Sequence, residues 1–200
     1  PPYPQDAMIS IKSSSGDISD EKVSKNLISS QPDIIFHLAA IVSGQAEQEF
    51  DLGWNINAKG SWGLFEAIRQ QGEDYCPRLI FTSSIAVFGA PFPEKIPDDF
   101  FTTPLTSYGA QKAISELLLA DYSRKNMVDG VSIRLPTIGV RPGKPNLAAS
   151  GFFSGIIREP LNGQEAILPV NTDVRHWHAT PRAAACLLYT SPSPRDPWKS

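Results

Sequence analysis

Apolar residues change their rhythm several times along this chain, and each change predicts an element. "DIIFHLAA", residues 33–40, is a continuous apolar run bounded by Pro32 and by small residues, the pattern of a buried parallel strand. "RLIFTSS", 78–84, and "GVSIRL", 130–135, repeat that pattern. Between the first two runs, Trp54, Leu64, Phe65 and Ile68 recur at mostly helical spacing, and Gly72 stands where a C-cap is expected. Between the second and third, "LTSYGAQKAISELLLADY", 105–122, reads as an amphipathic helix running to about Asn126, with an apolar stripe of Ala110, Ile114, Leu117 and Leu118. The polar stretch from Ser19 to Gln31 suits a further helix stopped by Pro32, and Met8 to Lys12 alternates briefly like a strand. Beyond Pro142, glycine and proline punctuate the chain; a short helix near Gly151 to Arg158 and a short strand near Ala166 to Val170 are expected there.

Strand, helix, strand, helix, strand predicts right-handed βαβ units and an α/β fold, a Rossmann-type doubly wound parallel sheet followed by part of a smaller substrate lobe. The expected boundaries are 1–141 for the sheet domain, 142–189 for the lobe, and 190–200 for a Pro/Ser-rich tail read as disordered or non-native. Ligands of such sheets bind at the carboxyl ends of the strands. Chemistry is therefore sought in "HLAAIVSG", "TSSIAVFG" and "RLPTIGVRPG".

Composition narrows the partners. With 200 residues, 41% of them hydrophobic and 20% charged, the chain can bury one sizeable core. A net charge of -3 without any long Lys/Arg cluster argues against nucleic acid or an anionic membrane and for a small molecule. Cys76 and Cys186 lie far apart and join no Cys/His cluster, which suits a reduced, cytoplasmic protein without structural zinc. No apolar run approaches the roughly 20 residues of a membrane span. His176 and His178 in "RHWH" would share one side of an extended segment, but a third ligand is missing, so no metal is expected and a substrate contact by one of them is the better reading. His37 reads as a structural group.

Tyr108 and Lys112, four residues apart, lie on one helical face, opposite the apolar stripe and so outside the expected core. That spacing alone is a weak motif; its place after a strand ending in "TSS" gives it a use. Oxidising a secondary alcohol requires a base for the hydroxyl proton, and a phenol of pKa about 10 is a poor one at neutral pH. A neighbouring ammonium and a positively charged nicotinamide would favour the phenolate. Ser84, or Ser83 beside it, would orient the substrate oxygen.

"FTSSIAVFG" followed by "SYGAQK", with "HLAA" before and "RLPTIGVRPG" after, resembles the extended short-chain dehydrogenases, the NAD-dependent epimerase/dehydratase family. The resemblance covers most of residues 8–189. It implies NAD as cofactor, with Ser84, Tyr108 and Lys112 catalytic. It also implies that Asp17 and Ile18 lie near the adenine, that Leu38, Ala39 and Ala40 pass along the cofactor, that Asn57 supports the ribose or Lys112, and that Pro136 and Thr137 border the nicotinamide. A homodimer is implied for the full-length protein. The longer matching stretches, "VRPGKPNLAASGFFSGIIREPLNGQEAILPV" among them, point to oxidation of a small sugar acid. A carboxylate needs a cation, and of Arg141, Arg158 and Arg175 the last is favoured, with Arg141 also assigned to substrate. Nucleotide-sugar epimerisation is the alternative, and a non-catalytic cofactor-binding scaffold a second. Dehydration is disfavoured because Ile85 and Ala86 stand where dehydratases carry an Asp-Glu pair. The family's opening strand, glycine-rich turn and helix have no counterpart here, so the chain is read as a fragment.

Overall fold

A computed structural model of the chain describes residues 11–97, 99–140 and 147–191. Residues 8–10 of the first expected strand, Arg141, and residues 192–200 of the expected tail lie outside these, and Ile11 and Lys12 adopt no regular structure. Three parallel strands form the sheet in the order β1 (Ile34–His37), β2 (Arg78–Ser84) and β3 (Asp129–Leu135). The register of β2 and β3 starts with Arg78 opposite Asp129, whose side chains pair at 3.1 Å. Helix α1 (Glu21–Ile28) begins at Asp20, whose carboxylate accepts the Lys22 amide at 2.9 Å.

The connection between β1 and β2 is helical in four pieces: α2 (Ser43–Gln48), α3 (Phe50–Gly53), a π-helical segment (Trp54–Lys59) and α4 (Gly60–Arg69). Gly72 follows at φ +104°, a left-handed conformation that suits glycine. α5 (Ser107–Arg124) crosses back from β2 to β3. The core lies between the sheet and these helices, with Ile28, Leu64, Phe65, Ile68, Leu79, Phe81, Leu119 and Val128 all buried.

Beyond β3 come β4 (Thr137–Ile138), α6 (Phe152–Leu161), β5 (His178–Ala179) and α7 (Pro181–Thr190), with β4 and β5 paired in parallel. The strand expected near Ala166 to Val170 does not form. Among the described residues no strand pairs with that stretch, which contains Pro169 and leaves Ile167 exposed. β4, β5 and α7 are additions to the expected elements. None of the helices among the described residues is long and apolar enough to cross a membrane.

Two expectations about burial need correction. The first strand is not buried on both faces: Ile34 is 57% exposed and Phe36 and Leu38 are exposed too, because they share the face opposite to Ile35, which packs on the core. Phe36 meets the Tyr189 ring of α7 at 5.5 Å. On α5 the buried side is not the apolar stripe. Leu117 is 67% exposed and Ile114 is exposed, whereas Gln111, Lys112, Ser115 and Glu116 are buried with Leu119. Lys112 and Glu116 can face the sheet because they meet partners there, Thr82 and the Ser83–Arg134 pair, while Gln111 and Ser115 bond to Asn57 of the π-helical segment.

His37 is one of those buried polar groups. Its Nε2 lies 2.9 Å from Ser61 Oγ, and Ser61 donates its proton to the Asn57 carbonyl at 2.7 Å, which makes the neutral imidazole the donor to Ser61. Burial, with the Lys112 charge adding to it, lowers the His37 pKa from 6.5 to about 4. The unfolded chain therefore binds this proton more readily than the folded one, so stability from the buried neutral ring is complete above about pH 6.5 and falls as the pH drops toward 4. Urea titrations across that window should show a loss of about 3 kcal/mol, and His37→Gln should flatten the slope.

Candidate active site

Strand β2 ends in three hydroxyl groups, and each is used differently. Thr82 Oγ1 donates to the His37 carbonyl at 3.0 Å, tying the ends of β1 and β2 together. Ser83 donates through Oγ to Glu116 Oε1 and is buried. Ser84 Oγ accepts the Ala86 amide at 3.1 Å, capping the 3-10 turn Ile85–Val87, and the hydroxyl lies close enough to Tyr108 to act on its titration.

Tyr108 reaches Ser84 because the start of α5 is pinned from three sides. Thr106 Oγ1 accepts the Gly109 amide at 3.1 Å, and Glu47 of α2 accepts the Ser107 amide at 2.9 Å. Gly109 then touches the turn after Ser84: a Cβ on it would lie 2.2 Å from the Ala86 carbonyl oxygen. One turn on, Lys112 is 2% exposed and donates through Nζ to the Thr82 carbonyl at 2.8 Å. The same ammonium lies 4.6 Å from the Phe81 ring centroid and 5.7 Å from that of Tyr108.

These groups have opposed titration tendencies. Burial raises the Tyr108 pKa above 10, and the Ser84 hydrogen bond partly offsets that rise. Burial lowers Lys112 from 10.5 to about 8, while the Glu116 carboxylate acts to raise it.

A cleft of about 1,210 Å3 opens over these residues. Ser83, Ser84, Tyr108 and Lys112 line its floor, Leu38 and Ala40 one wall, and Pro136 and Thr137 another. Arg175 and His176 come from the segment before β5, with His176 Nε2 2.7 Å from Thr137 Oγ1 and its ring stacked on Phe153 at 4.6 Å. Ile85 and Ala86 line it as well.

Other residues singled out from the sequence lie elsewhere. Asp17 is exposed and accepts the Ser19 amide and hydroxyl at 2.9 and 2.8 Å, which holds its carboxyl below the usual range. Ile18 packs against Gly60 at the start of α4. Ala39 is exposed beside the lining residues Leu38 and Ala40. Asn57 holds the loop after β1: its Oδ1 accepts the Ile41 amide at 2.9 Å and its Nδ2 donates to Gln111 Oε1 at 2.8 Å. Arg158 pairs with Glu159 at 2.5 Å. Residues not foreseen are the lining side chains Phe92, Lys95 and Trp177, and the buried Glu116 with Arg134. Glu116 continues the spacing of Tyr108 and Lys112 by four, a signal that was available.

The profile of the NAD dependent epimerase/dehydratase family matches residues 4–190. The chain belongs to that family. Among family members, D-erythronate dehydrogenase of Cupriavidus necator is 53% identical over 173 residues, covering 86% of this chain and 53% of its own length. D-erythronate dehydrogenase of Haemophilus influenzae is 51% identical over 155 residues, 78% of this chain and 49% of its own. The crystal structure of a nucleoside-diphosphate-sugar epimerase from Agrobacterium tumefaciens superposes with a TM-score of 0.84 at 57% identity, covering 94% of this chain and 56% of that one. The chain thus spans about half the length of these relatives.

The close approach at Gly109 gives a direct test. Gly109→Ala should push α5 off the Ala86 carbonyl and lower stability by about 1–3 kcal/mol in denaturant titrations, with the Ser84 to Tyr108 contact loosened.

Proposed function

We propose that the protein carrying this chain oxidises the secondary alcohol of a small sugar acid with NAD, and that the substrate is D-erythronate, giving 2-oxo-erythronate. The carrying observation is the assembly of Ser84, Tyr108 and Lys112 on the floor of one cleft at the carboxyl end of β2. The relatives named D-erythronate dehydrogenase supply the substrate.

The residues present fit part of an NAD site. Leu38 and Ala40 offer an apolar wall at the end of β1, Pro136 and Thr137 another at the end of β3, and a buried ammonium lies beneath them. NAD, when bound, supplies the hydride acceptor and a positive ring next to the reacting carbon. Ser84 hydrogen-bonds the substrate hydroxyl and orients it. Tyr108 Oη, as phenolate, would take the hydroxyl proton and become a neutral phenol, while the hydride of the same carbon would go to the acceptor that NAD supplies when bound, leaving a ketone. Lys112 supplies one of the positive charges that the phenolate needs, since burial by itself holds the phenol neutral. Arg175 at the cleft wall takes the carboxylate.

Epimerisation of a nucleotide sugar is the second reading, supported by the name of the Agrobacterium protein, and it would use the same tyrosine and lysine. Ile85 and Ala86 in the cleft bring no acid or base of the kind dehydration needs. A scaffold without catalysis would have no use for a buried Tyr108–Lys112 arrangement. We further read the protein as a cytoplasmic homodimer, with Cys76 and Cys186 both free and with Trp62, Ile114 and Leu117 exposed along α4 and α5.

NADH formation on mixing the purified protein with D-erythronate and NAD is the expected outcome; interconversion of a nucleotide sugar without net NADH would replace this reading with epimerisation. Tyr108→Phe should lower kcat by about 10²–10⁴-fold. Arg175→Ala should raise KM for the acid by about tenfold or more with a smaller change in kcat.

A further inference from the structure

Glu116 is a buried carboxylate that the chemistry above leaves unused. It lies one turn after Lys112 on α5 and accepts three bonds from Arg134 of β3: two from Nε at 3.1 Å and one from Nη2 at 2.8 Å. It also accepts the Ser83 hydroxyl. Ser83 and Arg134 face each other in the β2–β3 register, so one carboxylate clamps two neighbouring strands to the helix that carries Tyr108 and Lys112. Phe88 covers the outer side of the clamp, with its ring 4.9 Å from the Arg134 guanidinium carbon.

We propose that Glu116, locked by Arg134, is a positioning residue that keeps the Lys112 ammonium charged and aligned under Tyr108 while holding the strand end that presents Ser84. The proposal rests on the dehydrogenase reading for its use, but its central claim concerns Lys112 itself. Among the described residues, this buried ammonium otherwise meets the Thr82 carbonyl and two aromatic faces, none of which carries a full negative charge. Facing Lys112 are Tyr108 and Glu116 on its own helix, His37 from β1 and Thr82 from β2, with Ser83 and Ser84 in the same cleft lining. The charged groups of the other helices packed on α5 are engaged elsewhere: Glu47 with the Ser107 amide, Lys59 with Asn55, and Glu66 with Arg69 and Tyr122; Asp51 on α3 is exposed. Glu116 is therefore the anion that acts on Lys112, in agreement with the upward pull it exerts against burial.

Side-chain NMR of labelled lysine, with the Lys112 signal assigned by its loss in Lys112→Met, reads this directly. Lys112 should titrate near pH 8 in the unaltered protein. In Glu116→Gln its proton affinity should fall about tenfold or more, and the alkaline fall of kcat should move to lower pH with KM for NAD nearly constant. In Arg134→Gln the carboxylate loses its competing cation, so the Lys112 midpoint should stay or rise. A folded Glu116→Gln with an unmoved midpoint overturns the proposal, as does a fall in both variants, which would indicate loosened packing. Should Glu116→Gln not fold, Arg134→Gln decides alone: no fall supports, and a fall overturns. Absence of any NAD-linked oxidation by the unaltered protein would remove the functional reading, while the titration would still judge Glu116.

Discussion

An ammonium buried beneath the end of a β-strand organises this molecule. Lys112 gives up its water for one carbonyl, two ring faces and a carboxylate one turn away. Removing a charge from water is expensive unless compensation is built around it, so the surroundings are constrained in turn. Helix α5 has to present its polar side to the sheet, Thr82 has to aim its carbonyl inward, and Phe81 has to lie flat beneath the nitrogen. The apolar residues that would ordinarily fill a helix–sheet interface are moved to its far end, at Leu119, or outward, at Ile114 and Leu117.

A chain of hydrogen bonds carries this arrangement away from the cleft. His37 donates to Ser61, Ser61 to the Asn57 carbonyl, and Ser115 shares its proton between that carbonyl and that of Gln111. The Asn57 side chain reaches back to Ile41 and across to Gln111. The exit of β1, the connecting helices and α5 are thus joined by one hydrogen-bonded network, an arrangement that fixes geometry more tightly than apolar contacts do. The walls of the cleft are built differently, from loop residues such as Phe92, Lys95 and Arg175. A fixed floor under variable walls is a common division between chemistry and selectivity.

The parts of the fold that could be read from the sequence were those with local causes. The three strands announce themselves as apolar runs, and α5 by its length and helical periodicity. The floor of the cleft follows from the rule that strand ends carry ligands, which with the four-residue spacing on α5 brings Ser84, Tyr108 and Lys112 together. What escaped reading depends on contacts far apart in sequence. The buried face of α5 was misjudged because apolarity usually marks the inside, and no local signal says that Arg134, 18 residues later, will neutralise Glu116. Asn57 was placed near the cofactor or Lys112, whereas its bonds go to Ile41 and Gln111, 16 and 54 residues distant. The last three pieces of the connection after β1 read as one helix, since their breaks carry no proline, and α2 carries no apolar periodicity to announce it.

One of those pieces sets the phase of everything after it. The π-helical segment Trp54–Lys59 contains Asn57 and runs directly into α4, and a π turn takes up one residue more than an α turn. The extra residue lets Asn57 point at the loop after β1 while Leu64, Phe65 and Ile68, downstream, still meet the core. Deleting a single residue here would not merely shorten a helix. It would rotate one end against the other by about 100°, so that either the polar contact or the core contact could be kept, but not both.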